Sequence, residues 1–204
     1  MWDTHIRKVY DLNFRRHEDV YGPEEDTVIL LQHLSQFDHR GLPPGPVAEA
    51  CCGLGLAGVL MAMNWGRQVI VSDINPKALA AARENAAASG TSVQPVRTYG
   101  LKGIRDGTLS FVACNPPYLP GNGGEDWESA ALDGGPRGVE TALEVARDAS
   151  GRLREGGRVM MLLSSLGDLE NFEEEARGMG FSIERSGPHP VGDFERLYVY
   201  TMAL

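Results

Sequence analysis

Four consecutive residues, Asn115, Pro116, Pro117 and Tyr118, have types and spacing suited to a specific chemistry. A nitrogen whose lone pair is spread into a π system, as in an amide or an aromatic amine, is a poor nucleophile. It must be held by its hydrogens and turned before it can attack a sulfonium methyl. The Asn115 side-chain oxygen can accept one N–H, and a backbone carbonyl near Pro116 can accept the other. Each proline removes a backbone donor and restricts the residue before it, which gives a stiff loop with carbonyls on offer. Tyr118 can stack on the planar group. No strong general base is needed, because alignment alone can lower a barrier by about 7–11 kcal/mol. A loop merely stiffened by prolines is the competing reading of the same residues.

Two further features fit beside this one. Glu49-Ala50-Cys51-Cys52-Gly53-Leu54-Gly55 places glycines after an apolar stretch and before a helical one. Gly53 and Gly55 would let the backbone approach a ligand and lead into a helix N-terminus. A tight strand-to-helix turn would use the same glycines. Glu49, late in a buried strand, needs a partner, and the amino group of a bound amino acid would serve. Asp73 lies about 20 residues further on, the spacing at which an acidic residue holds ribose hydroxyls. A helix cap is the alternative, but Asn75-Pro76 already supplies a cap and first helical residue, which leaves Asp73 free.

The elements that must position these residues alternate along the chain. Helices are expected over 24–37, 56–64, 76–89, 139–153 and 169–179. Strands are expected over 46–51, 68–72, 93–97, 109–114, 157–163, 181–185 and 195–201. Residues 116–137 show no period and hold five glycines before Pro136, so they read as a loop or lid. Alternation of this kind predicts an α/β fold: a seven-stranded, mostly parallel sheet with helices on both faces. The last two strands have no helix between them and are expected to form an antiparallel hairpin at the sheet edge. Candidate sites then fall at the carboxyl ends of the strands.

Composition narrows the classes. The chain has 204 residues and a formal net charge of -9, which argues against a free-standing nucleic-acid binder. Arg7, Lys8, Arg15 and Arg16 form a small basic cluster, and residues 1–18 are expected to be a solvated arm before a domain over 19–204. No apolar run approaches the length of a membrane span, and the start lacks a signal-peptide core. Cys51, Cys52 and Cys114 read as small buried residues, not as disulfides or metal ligands. A cytoplasmic protein with no metal is the expectation.

These residues resemble the HemK/PrmC-type glutamine methyltransferases, which modify the Gly-Gly-Gln loop of translation termination factors. The likeness runs from about Asp19 to the C-terminus and is strongest to the short archaeal and eukaryotic branch. Val20-Tyr21-Gly22-Pro23-Glu24-Glu25-Asp26-Thr27, Asp133-Gly134-Gly135 and Ser164-Ser165-Leu166 carry it. Asn115 to Tyr118 is shared with adenine-N6 methyltransferases and is less specific. The resemblance implies a Rossmann-like class I methyltransferase fold that uses S-adenosylmethionine. It puts Thr27 near the methionine carboxylate, Glu49 near the amino group and Asp73 on the ribose. It puts Asn115 between cofactor and substrate, and Tyr118 on the substrate amide. Cys51, Gly53, Gly55, Ile74, Tyr99 and Gly100 would complete the cofactor pocket. It also implies a release factor as substrate and a small zinc-binding activator protein at the sheet edge.

Two positions depart from the family. Cys51 stands where the family has glycine, and Tyr99 where it has an acidic residue touching adenine. Adenine-N6 or protein lysine methylation, and a cofactor-binding scaffold without catalysis, remain the alternatives.

Overall fold

A computed structural model describes residues 7, 10–123 and 127–204. Lys8 of the basic cluster and Gly124 of the expected lid lie outside the described residues.

Seven strands form one sheet in the order β3-β2-β1-β4-β5-β7-β6. They are β1 (Val47–Ala50), β2 (Val69–Asp73), β3 (Gln94–Arg97), β4 (Leu109–Cys114), β5 (Leu153–Ser164), β6 (Ser182–Val191) and β7 (Glu195–Ala203). The first five run parallel to one another, while β7 pairs antiparallel with both β5 and β6. This is the expected fold. Every residue of β1 and β4 is buried, as parallel strands covered on both faces require. One face is packed by α1 (Glu25–Gln36), α2 (Leu56–Asn64) and α3 (Pro76–Ala88). The other is packed by α5 (Glu140–Arg152) and α6 (Leu169–Gly178).

Chain order reverses at β1, which lies between β2 and β4. A crevice opens at such a point beyond the strand ends. The register sets its walls: Ala50 pairs with Cys114 and with Ser72. Cys51, Asp73 and Asn115 therefore emerge side by side.

Three expectations need correction. Residues 116–137 are not irregular throughout: a short helix, α4 (Trp127–Leu132), interrupts them, and Leu119 bridges to Asp133. β5 begins at Leu153, not 157, because Leu153 pairs with Leu109 before a register irregularity. Its charged, glycine-containing start disguises a bulged strand. The N-terminal stretch is not a solvated arm over its described length. Leu12 and Phe14 are each 1% exposed and belong to the core packed by α1, α2 and α3. Asn85, buried in the last turn of α3, accepts a hydrogen bond from Arg15 N–H at 2.8 Å and donates to Leu54 O at 3.0 Å. This buried polar residue is thereby satisfied, and it docks the stretch over α3.

Candidate active site

The crevice holds a cavity of about 470 Å³, within the range of small-ligand sites. Thr27, Glu49, Cys51, Gly53, Asp73, Ile74, Tyr99, Gly100, Asn115 and Pro117 all line it. Gly55 does not. It adopts φ 75° before α2, and a Cβ there would lie 2.5 Å from Ala82 Cβ. Its lack of a side chain serves helix packing, not ligand approach. Pro116 and Tyr118 line a small adjoining recess with Asp26 and Tyr21.

Both carboxylates are partnered by backbone, which the sequence reading did not foresee. Glu49 accepts from Gly58 N–H at 2.7 Å and Ala57 N–H at 3.3 Å. It thus sits on the N-terminal turn of α2, where an anion is favoured. A Cβ on Gly58 would come within 2.9 Å of Glu49 Oε2, so glycine there admits the carboxylate. Asp73 is not free: it accepts from Gly53 N–H at 3.0 Å and Asn75 N–H at 2.8 Å. Asn75 still caps α3, through Lys77 N–H at 2.9 Å. These bonds do not offset burial. Burial pushes the Glu49 carboxyl up to about 8 and raises that of Asp73. Among the described residues no cation pairs with either one. Two desolvated carboxyls facing one cavity favour a cationic ligand.

Cys51 has φ 52°, a left-handed conformation that suits glycine and costs other residues roughly 1–2 kcal/mol. Such a backbone favours glycine, the residue that the family resemblance implies here. Tyr99 is 41% exposed and its hydroxyl lies 3.3 Å from Thr141 Oγ1, with Lys102 Nζ 5.1 Å from its ring centre.

The residue missed from sequence is Asp26, in the first turn of α1 and 3% exposed. Its Oδ2 accepts from Asn115 Nδ2 at 2.8 Å, Tyr118 OH at 3.2 Å and Tyr21 OH at 3.4 Å. Its Oδ1 accepts from Thr27 N–H at 2.6 Å. Burial, with Asp26 next, raises both phenols well above their ordinary range, so both remain donors. Asn115 Oδ1 is buried and has no partner among the described residues. Acidic residues in a first helical turn are common, and no spacing rule pointed to Asn115, 89 positions away.

The Asp133-Gly134-Gly135 turn supports this loop. Gly134 N–H donates to Leu119 O at 2.8 Å, and Asp133 accepts from Gly135 N–H at 2.8 Å.

A family model described as the methyltransferase small domain matches residues 11–172. The chain belongs to that family. This methyltransferase is 29% identical over 197 residues to a protein of Methanocaldococcus jannaschii provisionally named protein N5-glutamine methyltransferase, covering 95% of this chain and 96% of that one. It is 34% identical over 149 residues to the release factor glutamine methyltransferase of Deinococcus radiodurans, covering 69% of this chain but only 53% of the relative. Among solved structures it resembles the E. cuniculi Mtq2–Trm112 complex, described as methylating the eRF1 termination factor. The TM-score is 0.66 at 20% identity, over 91% of this chain and 98% of that one. At that identity the likeness concerns the fold.

Proposed function

We propose that this methyltransferase modifies the side-chain amide nitrogen of the glutamine in a Gly-Gly-Gln loop of a translation termination factor. The observation that carries the reading is Asn115 Oδ1, an acceptor without a partner among the described residues, held in place beside the cavity. The names of the archaeal and bacterial relatives support the choice of substrate, and the net charge of -9 weighs against a nucleic acid.

The residues fit S-adenosylmethionine. Glu49 would hold its ammonium, Asp73 its ribose, and Thr27 would lie near its carboxylate. Gly53, Ile74, Tyr99 and Gly100 complete the walls. Bound there, the cofactor supplies an electrophilic methyl group. Asn115 accepts one amide hydrogen of the substrate and orients its nitrogen, a carbonyl near Pro116 accepts the other, and Tyr118 packs on the amide plane. The test is direct. Purified protein with S-adenosylmethionine and a Gly-Gly-Gln factor is expected to add one methyl to that glutamine, located by peptide mass spectrometry. An unmodified glutamine with cofactor bound would overturn the substrate assignment. The assay includes the small zinc-binding activator that the family resemblance implies; the Mtq2 structure likewise holds a second protein, Trm112. The exposed edge strand β3 is the place we propose for it, and the cytoplasm is the compartment the substrate implies.

Two expected results concern the cofactor. The folded, ligand-free protein holds the Glu49 proton up to about 8, against 4.5 in an unperturbed group. Glu49 therefore lowers stability progressively as pH rises from 4.5 to 8, and does not below 4.5. A bound ammonium favours the carboxylate, so binding expels the proton. Affinity is expected to rise with pH, by up to about tenfold per unit, until near 8 the ligand's own amino group begins to lose charge. Calorimetry in buffers of different ionisation enthalpy would show the proton release, and Glu49→Gln would abolish it. Unchanged proton release in that variant would remove Glu49 from this role. Separately, Cys51→Gly relieves the left-handed strain, while glycine's extra freedom in the unfolded chain returns about 0.5–1 kcal/mol. The melting temperature is expected to shift by a few degrees at most and the cofactor to bind more tightly. Weaker binding would show that the Cys51 side chain contributes contacts.

A further inference from the structure

We propose that Asp26 is a positioning residue that fixes the direction of the Asn115 amide, so that its oxygen and not its nitrogen meets the substrate. The inference rests on the reading that this site methylates a planar nitrogen. An asparagine side chain has an acceptor limb and a donor limb of nearly equal size. Only the acceptor limb can grip the hydrogens of an incoming N–H₂ group. With the limbs exchanged, two N–H₂ groups would face each other and alignment would be lost.

The Asp26 carboxylate removes that ambiguity. It only accepts hydrogen bonds, so the limb facing it must be Nδ2, here at 2.8 Å. The planar amide then turns Oδ1 away from Asp26, and this is the buried oxygen without a partner among the described residues. The carboxylate is itself held still. Thr27 N–H fixes Oδ1 at 2.6 Å, and the hydroxyls of Tyr21 and Tyr118 reach Oδ2 at 3.4 and 3.2 Å. Among the described residues no cation pairs with it, so its negative charge rests on hydrogen-bond donors and the N-terminal turn of α1. Tyr118 belongs to the same loop as Asn115. One side chain on α1 therefore orients both ends of the substrate grip. Thr27, the next residue, lines the cofactor cavity.

Three variants test this. In Asp26→Asn the carboxylate no longer dictates the direction. Turnover is expected to fall about 10²-fold, the order seen when one preorganised polar group is lost, with cofactor affinity by calorimetry within threefold. Asn115→Asp sets two carboxylates against each other and is also expected to be slow. The exchange D26N/N115D restores a donor opposite an acceptor and again leaves an oxygen for the substrate. It is expected to be at least tenfold faster than Asp26→Asn, a non-additivity that a merely structural role does not produce. A measurement independent of turnover accompanies these. In the ¹⁵N-labelled wild type, one Asn115 side-chain proton is expected downfield and slow to exchange. This signal is lost in Asp26→Asn, whichever substrate the enzyme uses. Ordinary shifts and exchange for that proton in the wild type would overturn the proposal. So would turnover within threefold in Asp26→Asn, equal losses of turnover and cofactor affinity, or a folded exchange variant no faster than Asp26→Asn. If the wild type leaves glutamine unmodified but shows the shifted proton, the substrate reading fails and the positioning role stands.

Discussion

Asn115→Ala is expected to bind S-adenosylmethionine almost as well as the wild type and to methylate about 10²–10³-fold more slowly. The magnitude is that of removing one preorganised polar group at a reacting centre. The cofactor contacts proposed here come mainly from Thr27, Glu49 and Asp73, on other elements, so affinity has little reason to fall. Stability falls more than affinity. Asp26 loses its shortest side-chain donor and keeps the hydroxyls of Tyr21 and Tyr118. A buried acceptor left short of a donor costs about 1–3 kcal/mol. Calorimetry, thermal melting and single-turnover methylation separate the three quantities. Turnover within tenfold of the wild type would remove Asn115 from the centre of the mechanism. A loss confined to cofactor binding would make it a pocket residue only.

Gly134→Ala is the second large effect, and it acts at a distance from the reacting atoms. A Cβ at this position would lie 2.7 Å from Pro117 O, 2.8 Å from Gly138 O and 2.8 Å from Tyr118 Cα. All three are backbone atoms and cannot rotate aside. Gly134 is not among the glycines with positive φ, so alanine is conformationally allowed and the effect is one of close packing alone. The 115–118 loop must shift to admit the methyl group. Displacement of about 1 Å can cost about 10²-fold in rate, and turnover is expected to fall by that order while the cofactor still binds. Gly178→Ala is the matched control, because a Cβ there meets nothing within 4 Å among the described residues. Wild-type turnover in Gly134→Ala would show that the 133–135 turn does not set the position of the catalytic loop.

Much of this architecture is local in origin and so was legible in the sequence. The glycines after β1, the cap at Asn75 and the apolar runs of β1 and β4 each report on their neighbours along the chain. The proposed catalytic loop was legible because its four residues are contiguous. What escaped notice depends on contacts between distant segments. Asp26 looked like an ordinary first-turn acid until folding brought it against Asn115. The backbone partners of Glu49 and Asp73 were hidden for the same reason, since N–H groups carry no letter code. Leu12 and Phe14 were too few to announce a docked segment, and the residues they pack with, and the Asn85 bond to neighbouring Arg15, lie far along the chain. The role of Gly134 is likewise visible only from the backbone it touches.

The sheet order has a consequence for how the chain is made. β7 is the last of the described strands in sequence, yet it lies inside the sheet, between β5 and β6. While the ribosome is still adding residues 195–203, β5 has an open edge and β6 has no neighbour to pair with. Unpaired edges of this kind invite association with other chains. The five parallel strands and the 115–118 loop are complete before that point, but the sheet closes only when its last described strand arrives. A nascent chain stalled after β6 would carry all the proposed chemical groups of the site and still expose the edge of β5.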